Sequence, residues 1–399
     1  MSDLNNSELL LLSNLIYLKL NVFNENTVGK LVKSMLYKNN LNKAILTRRE
    51  CKEVVKKSEW LVVLKQIQEN DKLNNLKIEN IEVDNTGVKA ACFVDKHDNH
   101  VFVVFRGTKT IEEWSDNGEG AYMSDTPEQI RALNYINNLK YKNITVTGHS
   151  KGGNKAKYVA LLSDKVNRCI SFDGQGFSNE FINRYYNEIN ANKDKVLSIS
   201  AKYDYVNCLL NSVNEEKIYI NTSFQKNPLY YHKANIMLDG NGRLRKETNE
   251  CSFVKIIYNF STSLISELPE PHKSFAINSL TDIIELILCD KDLDSSILQI
   301  AKGMLVLLGY TKHYNLKAEI NLAYNLLQSL STPLVFWNDF IRSEESKSTL
   351  ILNDTLSKFK AYQENIIFKL KSLGTEGEQI AVVIDNATDN LIYDFKNSH

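Results

Sequence analysis

The chain has 399 residues, 43% of them hydrophobic and 24% charged, the balance of an ordinary globular protein rather than a disordered or membrane-spanning one. Forty-eight basic residues cancel forty-eight acidic ones, so there is no general positive field to gather phosphate backbones, and nucleic acid is excluded as an expected partner. The length exceeds that at which one hydrophobic core usually stops growing, and two domains are expected.

The N-terminal stretch MSDLNNSELLLLSNLIYLKLN is apolar but carries Asp3 and Glu8 where a secretory signal needs Lys or Arg. With no small-residue cleavage site either, the expected location is cytoplasmic, or exported by a route without a cleavable signal peptide. Residues 5 to 70 place Leu9, Leu12, Leu15, Ile16 and Leu18, then Trp60, Leu61, Leu64 and Ile67, at helical intervals. Basic residues gather at Arg48, Arg49, Lys52, Lys56 and Lys57 and read as a solvated helix face. From Ile78 the pattern changes to the β-rich runs IENIEVDN, VKAACFVD, HVFVVFRG, NITVTG, RCISFDG, KVLSISA and KIYINTS, several separated by helical stretches. Strands alternating with helices predict a largely parallel sheet, which places ligands at the carboxyl ends of its strands.

Beyond about residue 253 amphipathic helical segments take over, at 274–289, 295–310, 314–331 and 350–372. The expected domains are therefore 1–253 and 254–399, with SELPEPHK, containing Pro269 and Pro271, as the hinge, because proline blocks helix continuation and biases its predecessor towards extended conformations. The apolar run ILQIAKGMLVLLGY from Ile297 contains Lys302 and falls short of the roughly 20 residues that span a bilayer. The six cysteines form no CxxC or zinc-finger spacing and read as free buried thiols. No cofactor or metal motif is present, and none is expected.

The most informative stretch is NITVTGHSKGGNKAKYVALL. Gly148-His149-Ser150-Lys151-Gly152 satisfies G-x-S-x-G between an alternating strand, Ile144 to Thr147, and a helix with Ala156, Val159, Ala160 and Leu162 on its apolar side. Only glycine fits two residues either side of a serine forced into so sharp a turn. A serine hydroxyl needs a base to become a nucleophile. Of the seven histidines, His97 and His100 lie in a turn, His149 is inside the elbow, and His272, His313 and His399 belong to the hinge, helical region and terminus. His232 remains, following the last strand run as a base should. The orienting acid belongs between serine and histidine. Asp204 in SISAKYDYVN and Asp173 in SFDGQGF both close strands. Asp204 is preferred because the later strand usually carries the acid. The Lys151 amide, at a helix start, and the Thr108 amide, after strand VFVVF, are the candidate oxyanion donors. The segment TIEEWSDNGEGAYMSDTPEQ is either a lid presenting Trp114, Tyr122 and Met123 to acyl chains or an ordinary helix-and-loop connection.

In order along the chain, FRGTKTIEEW, TGHSKGGNKA, SFDGQGF and AKYDYV resemble the successive blocks of the Mbeg-like proteins, which stand close to the class 3 lipases within the α/β-hydrolases. The resemblance covers about residues 5–240 and implies a lipase-like, mostly parallel sheet with flanking helices, followed here by an α-helical C-terminal region. It implies Ser150 as nucleophile, Asp204 as the aspartate of the lipases' D-x-V block, and His232 as their late histidine. Lys155 and Gln175 depart from the family's usual leucine and proline, and YYHKAN around His232 matches poorly. The activity implied is hydrolysis of carboxylic esters, of lipids or phospholipids, with a membrane surface as a possible meeting place. Two other readings stand beside it: an inert hydrolase-like binding module, and a lipase toxin exported by a type VII system, whose C-terminal helices bind small helical export partners or a second copy of the chain.

Overall fold

The structure, a computed structural model, describes residues 3–38, 40–45, 55–84, 87–95, 100–108, 120, 123–208, 210–213, 216–225, 228–269, 272–273 and 317–398. The chain divides into two compact units, Met1–Phe224 with Tyr231–Glu250, and Gln225–Tyr230 with Cys251–His399.

The first unit opens with helices α1 (Asn6–Leu15), α2 (Val28–Leu36) and α3 (Lys57–Gln68). Glu8 closes a capping box on α1. The Glu8 amide donates to Asn5 Oδ1 at 3.0 Å, and the Asn5 amide donates to Glu8 Oε2 at 2.8 Å, satisfying two N–H groups that the helix start leaves orphaned.

Eight strands follow: β1 (Lys77–Asp84), β2 (Gly87–Val94), β3 (Val101–Phe105), β4 (Ile144–His149), β5 (Val166–Phe172), β6 (Val196–Ala201), β7 (Lys217–Ile220) and β8 (Glu247–Thr248). They lie in one sheet in the order of the sequence. β1 to β3 form an antiparallel meander, β3 to β7 run parallel, and β8 returns antiparallel at the edge.

Right-handed crossovers that always step the same way across a sheet put every connecting helix on one face. Accordingly α4 (Pro127–Asn138), α5 (Lys151–Leu162), α6 (Asn179–Arg184) and α7 (Tyr186–Asn192) share a core with Val103, Phe105, Val146 and Cys169, built around Ile136, Ala156, Val159 and Phe181. The other face, carrying Phe102, Val104, Ile170, Phe172 and Ile199, would be left bare. It is covered by Leu9, Leu12, Val32 and Leu64 from α1, α2 and α3. The period of two along β3, with Phe102 and Val104 on one side and Val103 and Phe105 on the other, is what joins the two cores through a single sheet.

In the second unit, α8 (Ser252–Glu267), α9 (Lys317–Val335), α10 (Trp337–Ser346), α11 (Thr349–Lys371) and α12 (Thr375–Ser398) enclose an aromatic cluster. Phe340 stacks on Phe395 at 4.7 Å and on Phe253 at 6.0 Å, and Trp337 meets Phe253 edge-on at 5.3 Å. Phe253 of α8 thus belongs to the helical core, and the chain passes from the first unit to the second at Glu250/Cys251, just before the expected 253/254 and ahead of the proline-rich segment. Pro269 has a narrower role. It stops α8, and its predecessor Leu268 is extended, at φ −68° and ψ 136°. The segments 274–289 and 295–310 lie outside the described residues. Among the described residues no helix is long and apolar enough to cross a membrane, and Cys92, Cys169 and Cys251 are buried free thiols. Burial pushes the Cys92 and Cys169 thiols up to about 12, which keeps them out of thiolate chemistry.

Candidate active site

β4 ends at His149 and α5 begins at Lys151, so a single residue makes the turn from strand to helix. Ser150 does this at φ 60° and ψ −130°, a region that costs a residue with a side chain about 1–3 kcal/mol. Two hydrogen bonds hold it there: its amide donates to the Phe172 carbonyl at 2.9 Å, and its carbonyl accepts from the Asn154 amide at 3.1 Å. The turn is possible because the start of α5 lies against the end of β3. A Cβ on Gly152 would sit 2.2 Å from the Phe105 carbonyl oxygen and 2.9 Å from the Gly107 nitrogen, and both are backbone atoms that cannot swing aside. Gly152→Ala is therefore expected to destabilise the first unit by about 1–3 kcal/mol through overpacking, read as a lowered midpoint in thermal unfolding. An unchanged midpoint would contradict this account of the turn.

In the parallel register Gly148 pairs with Phe105, His149 with Phe172, and Phe172 with Ile199. The carboxyl ends of β3 to β6 therefore lie side by side, and the residues just beyond them, Thr108, Ser150, Asp173 and Asp204, come from adjacent loops. His232 arrives on the 3-10 turn Pro228–His232 after β7. Its Nε2 is 2.8 Å from Ser150 Oγ, and its Nδ1 is 2.7 Å from Asp204 Oδ1. Asp204 is fully buried. Its second oxygen accepts from the Asn207 amide at 2.8 Å and from Asn207 Nδ2 at 3.0 Å. A carboxylate so held can only accept, so the imidazole carries its proton on Nδ1 and turns a lone pair on Nε2 towards the serine hydroxyl.

A second acid–imidazole pair lies beside the first. The His149 ring packs against the His232 ring at 4.7 Å, and its Nε2 is 3.7 Å from Asp173 Oδ2. Asp173, at φ 47°, accepts the Ala201 amide on Oδ1 at 2.8 Å. Burial, and then the charge of Asp204, push the Asp173 carboxyl well above the usual carboxylate range. Burial and the neighbouring His232 hold His149 well below the usual imidazole range, so its ring stays neutral. On the far side the Tyr17 hydroxyl, supplied by the segment after α1, is 3.1 Å from His149 Nδ1 and donates to the His149 carbonyl at 3.4 Å.

With this geometry in view, comparison with known proteins gives one family. The model of the Mbeg1-like family matches residues 67–280, more than half of the chain. The chain belongs to the Mbeg1-like family. No curated protein matches it. Among solved structures, the crystal structure of M37 lipase is similar at 13% identity and a TM-score of 0.28, covering 57% of this chain and 72% of that one. The eight-stranded, mostly parallel sheet with helices on both faces and a sharp strand-to-helix turn at Ser150 is the arrangement of an α/β-hydrolase fold.

In this Mbeg1-like protein, the three residues singled out in sequence as nucleophile, base and acid, Ser150, His232 and Asp204, are brought together into one hydrogen-bonded chain, whereas Asp173 faces His149. Lys151 is the first residue of α5. Thr108 follows Gly107, where a Cβ would come within 3.2 Å of Ser150 Cβ, so both candidate oxyanion donors adjoin the serine. Of the segment read as lid or connection, Trp114 and Tyr122 lie outside the described residues. Met123 is 39% exposed, and its carbonyl accepts from Ser178 Oγ at 2.7 Å. Two of the positions that depart from the family pattern lie beside the elbow helix: Lys155 is buried and ion-paired with Glu128 at 3.3 Å, and the Gln175 carbonyl, a backbone group any residue would supply, accepts from the buried Asn154 side chain at 3.3 Å. Sequence reasoning missed Asn207 and Tyr17 and set His149 aside. An Asn three residues after the acid is a faint signal. Tyr17 gave none, because its contact spans 132 residues.

Proposed function

We propose that this chain is a serine hydrolase that cleaves carboxylic esters, of lipids or phospholipids, through an acyl-enzyme on Ser150. The observation that carries the reading is the unbroken chain from Ser150 Oγ to His232 and on to the buried Asp204, at 2.8 and 2.7 Å, with the serine raised on a strained turn. Family membership agrees with it.

In this mechanism His232 Nε2 takes the hydroxyl proton as Ser150 Oγ attacks the ester carbonyl, and Asp204 stabilises the imidazolium that forms. The developing oxyanion is met by the amides of Lys151, at the positive end of α5, and Thr108, a role in which one donor is typically worth about 10²–10³ in rate. His232 then gives its proton to the departing alcohol. Water, deprotonated by the same imidazole, releases the acid. The poor match of YYHKAN would suit an inert module, but the two short hydrogen bonds of the His232 ring argue against it.

Intact-mass spectrometry after incubation with a fluorophosphonate tests the proposal. One adduct per chain is expected on the native protein and none on Ser150→Ala. Folded wild-type protein that gains no adduct, with and without detergent micelles, would sink it.

A further inference from the structure

The second acid–imidazole pair has no part in ester cleavage, yet it is costly to bury. His149 and Asp173 are each more than nine-tenths buried, and among the described residues neither His149 Nε2 nor Asp173 Oδ2 has a partner at hydrogen-bond distance, a pattern that buried polar atoms rarely show without a reason. The two atoms face one another at 3.7 Å, and ligand atoms of His149, Asp173 and His232 all lie within 4.8 Å of each other.

We propose that His149, Asp173 and His232 form an inhibitory site for a divalent transition cation, Zn²⁺ being the best match, which silences the hydrolase by taking His232 away from Ser150. The inhibition, but not the binding, rests on the hydrolase reading above. Two imidazoles and one carboxylate, with a fourth position left for water, are a zinc donor set. Ca²⁺ and Mg²⁺ demand six or more ligands, mainly oxygen. Each donor is prepared for the role. The Tyr17 hydroxyl, whose one proton goes to the His149 carbonyl, can accept from His149 Nδ1–H, so the ring can present a lone pair at Nε2. Asp173 is anchored through Oδ1 to the Ala201 amide, which leaves Oδ2 for the metal, with release of any proton the carboxyl carries. His232 would use Nε2 while Nδ1 stays on Asp204, giving the carboxylate–histidine–metal arrangement that orients ligating imidazoles.

Bound zinc replaces the Ser150–His232 hydrogen bond, so the serine loses its base. Tetrahedral zinc with bonds of about 2.0–2.1 Å brings ligand atoms to about 3.3 Å of one another. The trio must therefore draw together on binding, which limits affinity and suits a reversible brake better than a permanent structural metal.

The test uses the full chain and Zn²⁺ alone. Equilibrium dialysis with metal analysis is expected to show one zinc per chain, with Asp173→Asn and His149→Phe each weakening it by at least about tenfold, the lower end of what even a ligand's supporting partner is worth. Zinc should block fluorophosphonate labelling of wild type, and a chelator should restore it. Co²⁺ in place of zinc should give the visible absorption of a tetrahedral site in wild type, a measurement that does not depend on either variant folding. No stoichiometric zinc, or zinc held as tightly by both folded variants as by wild type, would overturn the site. Zinc that binds and is weakened in the variants, in a protein never labelled under any condition, would leave the site standing and remove the hydrolase reading instead.

Discussion

Replacing His232 by alanine is expected to lower the rate of ester hydrolysis by about 10⁵–10⁶, with fluorophosphonate labelling slowed in parallel and the fold intact by circular dichroism. The size follows from what the ring does. Its Nε2 is within hydrogen-bonding distance of Ser150 Oγ, and a neutral serine is a poor nucleophile without a base. Members of such a unit act together, so the double variant Ser150→Ala with His232→Ala should be no slower than either single variant. A His232→Ala protein that keeps more than a few per cent of wild-type turnover would mean that another group supplies the base. His149, 4.7 Å away ring to ring, would be the first to test.

Asp204→Asn is expected to cost about 10⁴ in kcat with little change in KM, because the substitution keeps the shape but reverses the tautomer. An amide can offer an N–H where the carboxylate accepted one. Meeting Nδ1 with a donor moves the imidazole proton to Nε2, which then points a hydrogen at a hydroxyl it should deprotonate. The same change at Asp173 is expected to leave zinc-free turnover within a few-fold of wild type, since Asp173 contacts His149 and the Ala201 amide rather than His232. Equal losses at both aspartates would mean that the pair acts as one unit. The comparison thus separates the two carboxyls that sequence alone could only rank.

Much of this was legible in the sequence because it is local. Short, nearly continuous apolar runs mark β2 and β3, a strand, two glycines and a helix mark the elbow, and the order serine, aspartate, histidine follows the order of the strands. Two features escaped for opposite reasons. β8 is two residues long, too short for any period to register, and exists only because β7 offers it an edge. Tyr17, Asn207 and the His149–Asp173 pair are composed of ordinary residues whose meaning comes from packing across the sheet. Asp173 could be named as a strand-ending acid but not placed, since whether it reaches His232 or His149 depends on how far each loop turns beyond its strand. The extent of the helical region read true where the segment is described, with α11 at Thr349–Lys371 against an expected 350–372. The chain passes from one compact unit to the next at Glu250/Cys251, close to the expected 253/254, while Pro269 marks where α8 stops rather than where a core ends.

The strands are laid down across the sheet in the order in which they are made, and this gives the protein a history as well as a shape. A ribosome delivers α1 to α3 first, with apolar faces that find their sheet only later. It then delivers the elbow, then the two aspartates, and the base last, beyond β7. Domains tend to fold as units, and this one is complete only when the segment Tyr231–Glu250 has been made. Until then the chain has no His232 to arm Ser150, so whatever ester the mature protein attacks is safe from the growing one.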